Sequence, residues 1–347
     1  MVGPVSTIHI TLEPLCAGRI NPMQNGQFIE YLCDLVPSMW AEKVTDGHFL
    51  GLSPYGFTFV AEKDFKEKPW YPYGAVNRAN FGYANGPGTG TKSREIEIDG
   101  KLPARAGIAQ DGIAVDPADP CRFSVWLRSP AQPNMRVTFR LSDRGKRIAE
   151  WTTQAATNWV KFENRVVPST PSTNATLSIT FDRPGRLDLY ATSLMPESAV
   201  GGWRRDVVAA LRALNPRVIR FGGSALDLPG FGEFEWQTSI GNPDLRKPIR
   251  AWGGLQPAGA GLEEIVQLCK AVGAEPLICV RTAGKSEVDA AEEVEYFNGS
   301  VATPMGVLRA NNGHPAPYGI RFWQVGNEVR GPEYESQLFK FCQAMRR

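Results

Sequence analysis

The sequence predicts an α/β fold of parallel strand–helix units, interrupted by an antiparallel β-sandwich. Three observations lead there. Residues 199 to 347 alternate short apolar runs with amphipathic stretches at helical spacing, which is how βα units of a parallel sheet read. Residues 81 to 198 hold short alternating runs separated by Gly, Pro, Asn or Asp, with no helical period; that pattern suits a sandwich. Residues 1 to 80 carry strand-like runs of their own, so the sandwich lies within the α/β part.

In chain order, "STIHITLEP" alternates apolar and polar residues and predicts a strand. "NGQFIEYLCDL" follows the turn-forming Asn25-Gly26 and predicts a second strand with an acid, Glu30, inside it. The Gly-rich "FGYANGPGTGTKS" opens the sandwich. Its predicted strands are "REIEID", "CRFSVWLRS", "MRVTFRLSD", "WVKFENRVV", "ATLSITFD" and "RLDLYATSL". Then "WRRDVVAALRAL" predicts a helix and "NPRVIRFGG" a buried strand. "GLEEIVQLCKAVG" predicts a helix closed by Gly273, and "AEPLICVRT" the next strand. "SEVDAAEEVEYFNG" predicts a helix with Ser286 at its N-cap, followed by the strand "YGIRFWQVGNE". Four strands, near 27–32, 217–223, 275–282 and 320–326, thus belong to a barrel or to a doubly wound sheet.

Composition narrows the function classes. A net charge of +2 gives no electrostatic case for nucleic acid or an anionic membrane. No run of 18 apolar residues occurs, so no spanning helix is predicted. No G-x-G-x-x-G or P-loop follows a strand, so no nucleotide cofactor is expected. None of Cys16, Cys33, Cys121, Cys269, Cys279 and Cys342 forms a CxxC pair, and only His9, His48 and His314 are present. No metal site is expected from such a set. Cys269 and Cys279 sit in apolar runs and read as buried thiols. The sequons at Asn174 and Asn298 bear only on a eukaryotic secretory route. The N-terminus has no basic region followed by an apolar core, so it does not read as a signal peptide.

In parallel α/β folds, ligand-binding groups gather at the C-terminal ends of strands. Here those ends offer Glu30, then Arg220, Ser224 and Asp227, then Arg281 and Thr282, then Asn327 and Glu328. Acids, an arginine and an amide on one rim suit a multi-hydroxyl substrate. Two readings of Glu328 stand side by side: a carboxylate capping the next helix, or a general acid. An apolar strand end favours the protonated form of a carboxyl, as a general acid needs. Arg220 reads either as a buried arginine paired with an acid or as a group orienting substrate. Asp227 and Glu235 lie in a loop and read as solvated.

These stretches resemble one family. "WQVGNE" resembles the acid/base signature at the end of the fourth strand in clan A glycoside hydrolases. "NGQFIEYL", "RRDVVAALRALNPRVIRFGG", "FEWQTSIGNPDLRKP", "CKAVGAEPLICVRT" and "RANNGHPAPYGIRFWQVGNE" resemble, in order, glycoside hydrolase family 51, the α-L-arabinofuranosidases. The resemblance covers residues 20 to 55 and 199 to 335. The middle segment is similar to the carbohydrate-binding-module-like sandwich inserted in some members, as at "GIAQDGIAV" and "FSVWLRS".

What the resemblance implies is a (β/α)8 TIM-barrel-type catalytic domain, incomplete with about four barrel strands, interrupted by the sandwich. The implied domains are 1–80, the N-terminal part of the barrel; 81–198, the sandwich; and 199–347, units two to four of the barrel. Glu328 would be the general acid/base of a retaining hydrolysis, with Glu30, Arg220, Asn327 and Ser224 binding substrate. The partners implied are arabinose-containing plant polysaccharides or oligosaccharides, with an oligomer open in the complete protein. Polymer substrates favour an extracellular or periplasmic setting and short oligosaccharides a cytoplasmic one.

Two positions depart from the family. Phe221 runs directly into Gly222-Gly223-Ser224 where a proline usually intervenes, and Tyr31 stands where the family has histidine. The nucleophile of the family comes from a later strand. After Glu328 the only acids are Glu333 and Glu335, at the predicted start of a helix. A truncated gene, a fragment or a split reading frame is therefore expected, with no nucleophile in this chain. The alternatives are an inert half-barrel whose sandwich binds carbohydrate, and another clan A glycosidase.

Overall fold

The computed structural model describes residues 18–32, 35–49, 69–88, 90–100, 104–227, 234–251, 254–256 and 259–346. The strand expected at "STIHITLEP" and the residues Cys16, Cys33 and His9 lie outside them. The first elements are strand β1 (Gly26–Glu30) and helix α1 (Leu35–Met39). Ten strands follow: β2 (Tyr71–Gly74), β3 (Ala79–Asn85), β4 (Lys92–Ile98), β5 (Ala106–Val115), β6 (Cys121–Arg128), β7 (Met135–Asp143), β8 (Lys146–Ala155), β9 (Val160–Val166), β10 (Ser172–Phe181) and β11 (Gly185–Pro196). The chain continues with α2 (Arg205–Leu214), β12 (Val218–Gly222), α3 (Ser224–Asp227) and the short hairpin β13 (Ile249–Ala251) and β14 (Gly254–Gln256). It closes with α4 (Leu262–Val272), β15 (Glu275–Val280), α5 (Glu287–Asn298), α6 (Pro304–Asn311), β16 (Phe322–Val325) and α7 (Pro332–Ala344).

β1, β12, β15 and β16 form a parallel sheet in that order. The order is monotonic, and right-handed crossovers then put the connecting helices on one face. A doubly wound sheet would reverse its strand order partway, so the sheet is an arc of a (βα) barrel. The four strands fall where the sequence predicts them. Behind them lies one apolar cluster, including Ile219, Phe221, Ile265, Leu268, Cys269, Ile278 and Phe297. Cys269 and Cys279 are buried free thiols, as their apolar runs predict. Gly273 closes α4 at φ 86°, and Ser286 stands at the N-cap of α5.

The sandwich has two five-stranded antiparallel sheets, β2-β5-β10-β7-β8 and β3-β4-β11-β6-β9. Inward residues of both build a second apolar cluster. At its centre Phe139 stacks on Trp151 and on Phe162, with centroids 5.8 and 5.7 Å apart. Four strands go unpredicted: β2, β3, β5 and β8. β8 was missed because its hairpin with β7 turns through Arg144 and Gly145 at φ 48° and 79°. Such a two-residue turn usually announces itself as Asn-Gly or Asp-Gly, and arginine hides it.

The two parts are pinned at Asp244, in the segment after β12. Its carboxylate accepts from Trp126 Nε1 at 2.8 Å and pairs with Lys161 Nζ at 2.7 Å, both on the β6–β9 edge. A bridge between Trp40 and Trp203, whose rings cross edge to face, ties the chain on either side of the sandwich.

Candidate active site

Because the four barrel strands are parallel, their C-terminal ends share one edge. Glu30 ends β1 at 7% exposure, and its Oε2 accepts from the Ser224 backbone N–H at 3.1 Å. That contact needs Gly223 (φ 105°), since a Cβ there would fall 1.6 Å from Glu30 Oε2. Burial raises the Glu30 pKa, and the negative charge of Glu328 pushes the same way. The Ser224 N–H and the Arg220 guanidinium pull it back.

Arg220 rises from β12 with its guanidinium 4.7 Å over the Phe28 ring. Its Nε donates to Gln324 Oε1 at 2.9 Å and its Nη2 to Asn327 Oδ1 at 2.6 Å. The pairing with an acid weighed from sequence is thus replaced by two amide oxygens. Asn327 is 3% exposed, and its Oδ1 also accepts from Gly223 N at 3.2 Å. With the oxygen doubly engaged, the amide NH2 is the end that can donate to a ligand.

Asp227 corrects the sequence reading. It is buried rather than solvated. α3 turns it back under the strand ends, where Oδ1 accepts from Thr282 N and Ala283 N, each at 2.7 Å, and from Thr282 Oγ1 at 3.2 Å. Oδ2 accepts from Asn327 N at 2.7 Å. One carboxylate therefore ties the end of β15 to the end of β16. Glu235 is not free in solvent either; it pairs with Arg281 at 3.0 Å and with Lys285.

Glu328 follows Asn327 with φ 55°, and Gly326 precedes it at φ 72°. A side-chain-bearing residue is strained there, and surrounding contacts must hold it. The bonds from Asn327 to Asp227, Arg220 and Gly223 do so. The Glu328 side chain is exposed rather than enclosed by the apolar strand end. A Cβ on Gly326 would meet Val329 Cγ2 at 2.5 Å, Thr282 Oγ1 at 3.2 Å and Asp227 Oδ2 at 3.3 Å, so glycine gives the clearance this turn needs.

The structure thus brings Glu30, Arg220, Ser224 and Asn327 into one bonded group, with Glu328 beside it. Ser224 contributes its backbone N–H. Tyr31, at the departure from the family pattern, is buried and donates its hydroxyl to the Ala260 carbonyl at 2.6 Å. Sequence reasoning missed Gln324; a glutamine inside the apolar run "FWQV" was the available signal.

A monotonic parallel arc with polar side chains at its strand ends puts this part among the barrel-type α/β proteins. The family model described as the alpha-L-arabinofuranosidase 1 domain matches residues 210–347, so this part of the chain is similar to the α-L-arabinofuranosidases. The probable alpha-L-arabinofuranosidase C of Aspergillus fumigatus is 35% identical over 147 residues, covering 42% of this chain and 28% of that protein. The intracellular exo-alpha-(1->5)-L-arabinofuranosidase of Streptomyces lividans is 32% identical over 142 residues, covering 40% of this chain and 21% of that protein. The crystal structure of the Thermotoga maritima α-L-arabinofuranosidase in complex with arabinose shares 28% identity, with a TM-score of 0.39, 42% of this chain and 32% of that one covered. The chain spans 28% of the length of the first of these curated relatives.

Proposed function

We propose that the rim around Asn327 and Glu328 is the acid/base side of a retaining α-L-arabinofuranosidase centre. Glu328 protonates the leaving oxygen and then takes the proton from the incoming water. Asn327 donates its amide to a hydroxyl of the sugar, and Arg220 holds that amide in orientation. Glu30 accepts from a second hydroxyl. The attacking carboxylate of a retaining site sits about 5 Å from the acid. Asp227 is unsuited to that role, since it is buried with three donors on Oδ1 and the Asn327 N–H on Oδ2. We therefore assign the nucleophile to none of the carboxylates on this rim. The substrates are terminal arabinofuranosyl residues of arabinoxylan, arabinan or their oligosaccharides. The observation that carries this reading is the strained Glu328 backbone, held from Asn327 by bonds to Arg220 of β12, to Gly223 just after it and to Asp227 of α3.

The test is release of 4-nitrophenol from the aryl α-L-arabinofuranoside. The purified chain is expected to show little or no turnover. Robust turnover lost in Glu328→Gln would overturn the assignment of no nucleophile. Faster turnover of another aryl glycoside would overturn the sugar assignment.

A second role follows for the sandwich, residues 71–196. Tyr71 pairs with Ala109 across β2 and β5 and donates its hydroxyl to Asp111 at 3.0 Å. Its ring thus reaches along β5 on the outer face, 37% exposed. An amphipathic ring fixed beside a carboxylate suits the mixed face of a sugar. We infer a glycan-binding role, tested by retention of the chain on arabinoxylan. Tyr71→Ala should weaken that retention, and equal retention would sink the idea.

A further inference from the structure

Where the sandwich meets the α/β part, β11 is irregular. Its register with β6 shifts between Tyr190 and Ser193, and Ala191 stands at φ 48°. A side-chain-bearing residue in that region is strained, and bulges of this kind re-aim the neighbouring side chain. The neighbour is Thr192. It is 3% exposed, and its Oγ1 is buried without a hydrogen-bond partner among the described residues. An orphaned buried hydroxyl is costly and is rarely left so in a native protein. Strain and an unmet hydroxyl on adjacent residues mark a place where a ligand would complete the bonding.

Thr192 lines a cavity of about 420 Å³ between the sandwich and the α/β part. That lies within the ordinary range for small-molecule sites. Its lining mixes apolar and aromatic residues, among them Trp40, Val36 and Met195, with polar ones, among them Thr192, His48 and Ser38. Two of the carboxylates in its lining, Glu42 and Asp244, are engaged. Glu42 accepts from Ser193 Oγ, from Leu194 N at 2.7 Å and from Val44 N at 3.0 Å. Asp244 holds Trp126 and Lys161. His48 donates from Nε2 to the Asp244 carbonyl at 3.2 Å, and burial lowers its pKa below the ordinary value, so the ring is neutral near pH 7. With His48 neutral and no lysine or arginine among the described lining residues, an anionic ligand finds no counter-charge there, and the mixed lining matches a molecule that carries both hydroxyls and C–H groups.

We propose that this junction cavity binds a neutral mono- or disaccharide, in a site separate from the strand ends. The inference does not depend on the reading of Glu328. Isothermal titration of the full chain with L-arabinose, D-xylose, arabinobiose and xylobiose tests it, in wild type, Thr192→Val and Asn327→Ala. Thr192→Val keeps the side-chain shape and removes only the orphan hydroxyl, so its melting temperature should equal or exceed that of wild type. At least one of these sugars should bind wild type, bind Asn327→Ala equally well, and bind Thr192→Val at least about tenfold more weakly. Binding lost in Asn327→Ala and kept in Thr192→Val would assign the sugar to the strand-end site and overturn the proposal. So would no binding of any of the four to wild type, or equal loss in both variants. Failure of the arabinofuranosidase reading would show separately, in the aryl glycoside assay.

Discussion

Asp227 shows how far a single residue's role departs from its local sequence. Asp227 reads from sequence as a solvated loop residue, yet its carboxylate is buried and joins two strand ends through four donors. Hydrogen bonds to a charged group contribute more than neutral ones, and truncation leaves buried N–H groups unpaired. Asp227→Ala is therefore expected to cost about 3 kcal/mol in urea unfolding. A cost of a few tenths of a kcal/mol would mean the strand ends hold without it. Glu293 is the opposite case. It is 2% exposed, and its Oε1 has no hydrogen-bond partner among the described residues. Burial, reinforced by Asp289 and opposed by Lys285, raises its pKa well above 4.5. The folded protein therefore keeps a proton that the unfolded chain releases. Its contribution to stability is full below about pH 4.5 and falls as pH rises through the raised value. Glu293→Gln should accordingly gain stability relative to wild type between pH 5 and pH 8, read from urea midpoints at both. Parallel pH dependence in the two proteins would refute this.

Elements were legible where periodicity and caps agreed. The helix at "GLEEIVQLCKAVG" was read from its apolar spacing and its terminal glycine, and α4 ends there with Gly273 at φ 86°. No described residue beyond its chain neighbours comes within 4 Å of a Cβ built on Gly273, so the strain of the left-handed backbone sets the cost of a substitution. Gly273→Ala should destabilise by about 1 kcal/mol, seen as a lower urea midpoint with an unchanged slope. Elements were illegible where the cue was unusual. β8 hid behind an Arg-Gly turn, and α6 (Pro304–Asn311) carries too short an apolar pattern to be separated from a loop. The candidate site divides along the same line. Asn327 and Glu328 were readable because they end an apolar run. Gln324 and Asp227 were not, because their partners lie 104 and 55 or more residues away in the chain.

At the scale of the molecule, Asp244 joins the β6–β9 edge to the α/β part through Trp126 and Lys161. Asp244→Ala should loosen that junction, so that calorimetry resolves two melting transitions where wild type shows fewer; an unchanged thermogram would show that the apolar contacts suffice. The interruption of one architecture by another was visible from the chain alone. Periods of 2 and 3.6 residues are set by backbone geometry, so the alternation of βα units, the sandwich and the position of Glu328 at a strand end follow from local pattern. What only the tertiary structure decided is which groups meet: Arg220 with two amides, Asp227 under Asn327, and Thr192 facing a cavity between the two parts. Hydrogen bonding and burial depend on distances between residues far apart in the chain, and side-chain periodicity carries no record of those distances.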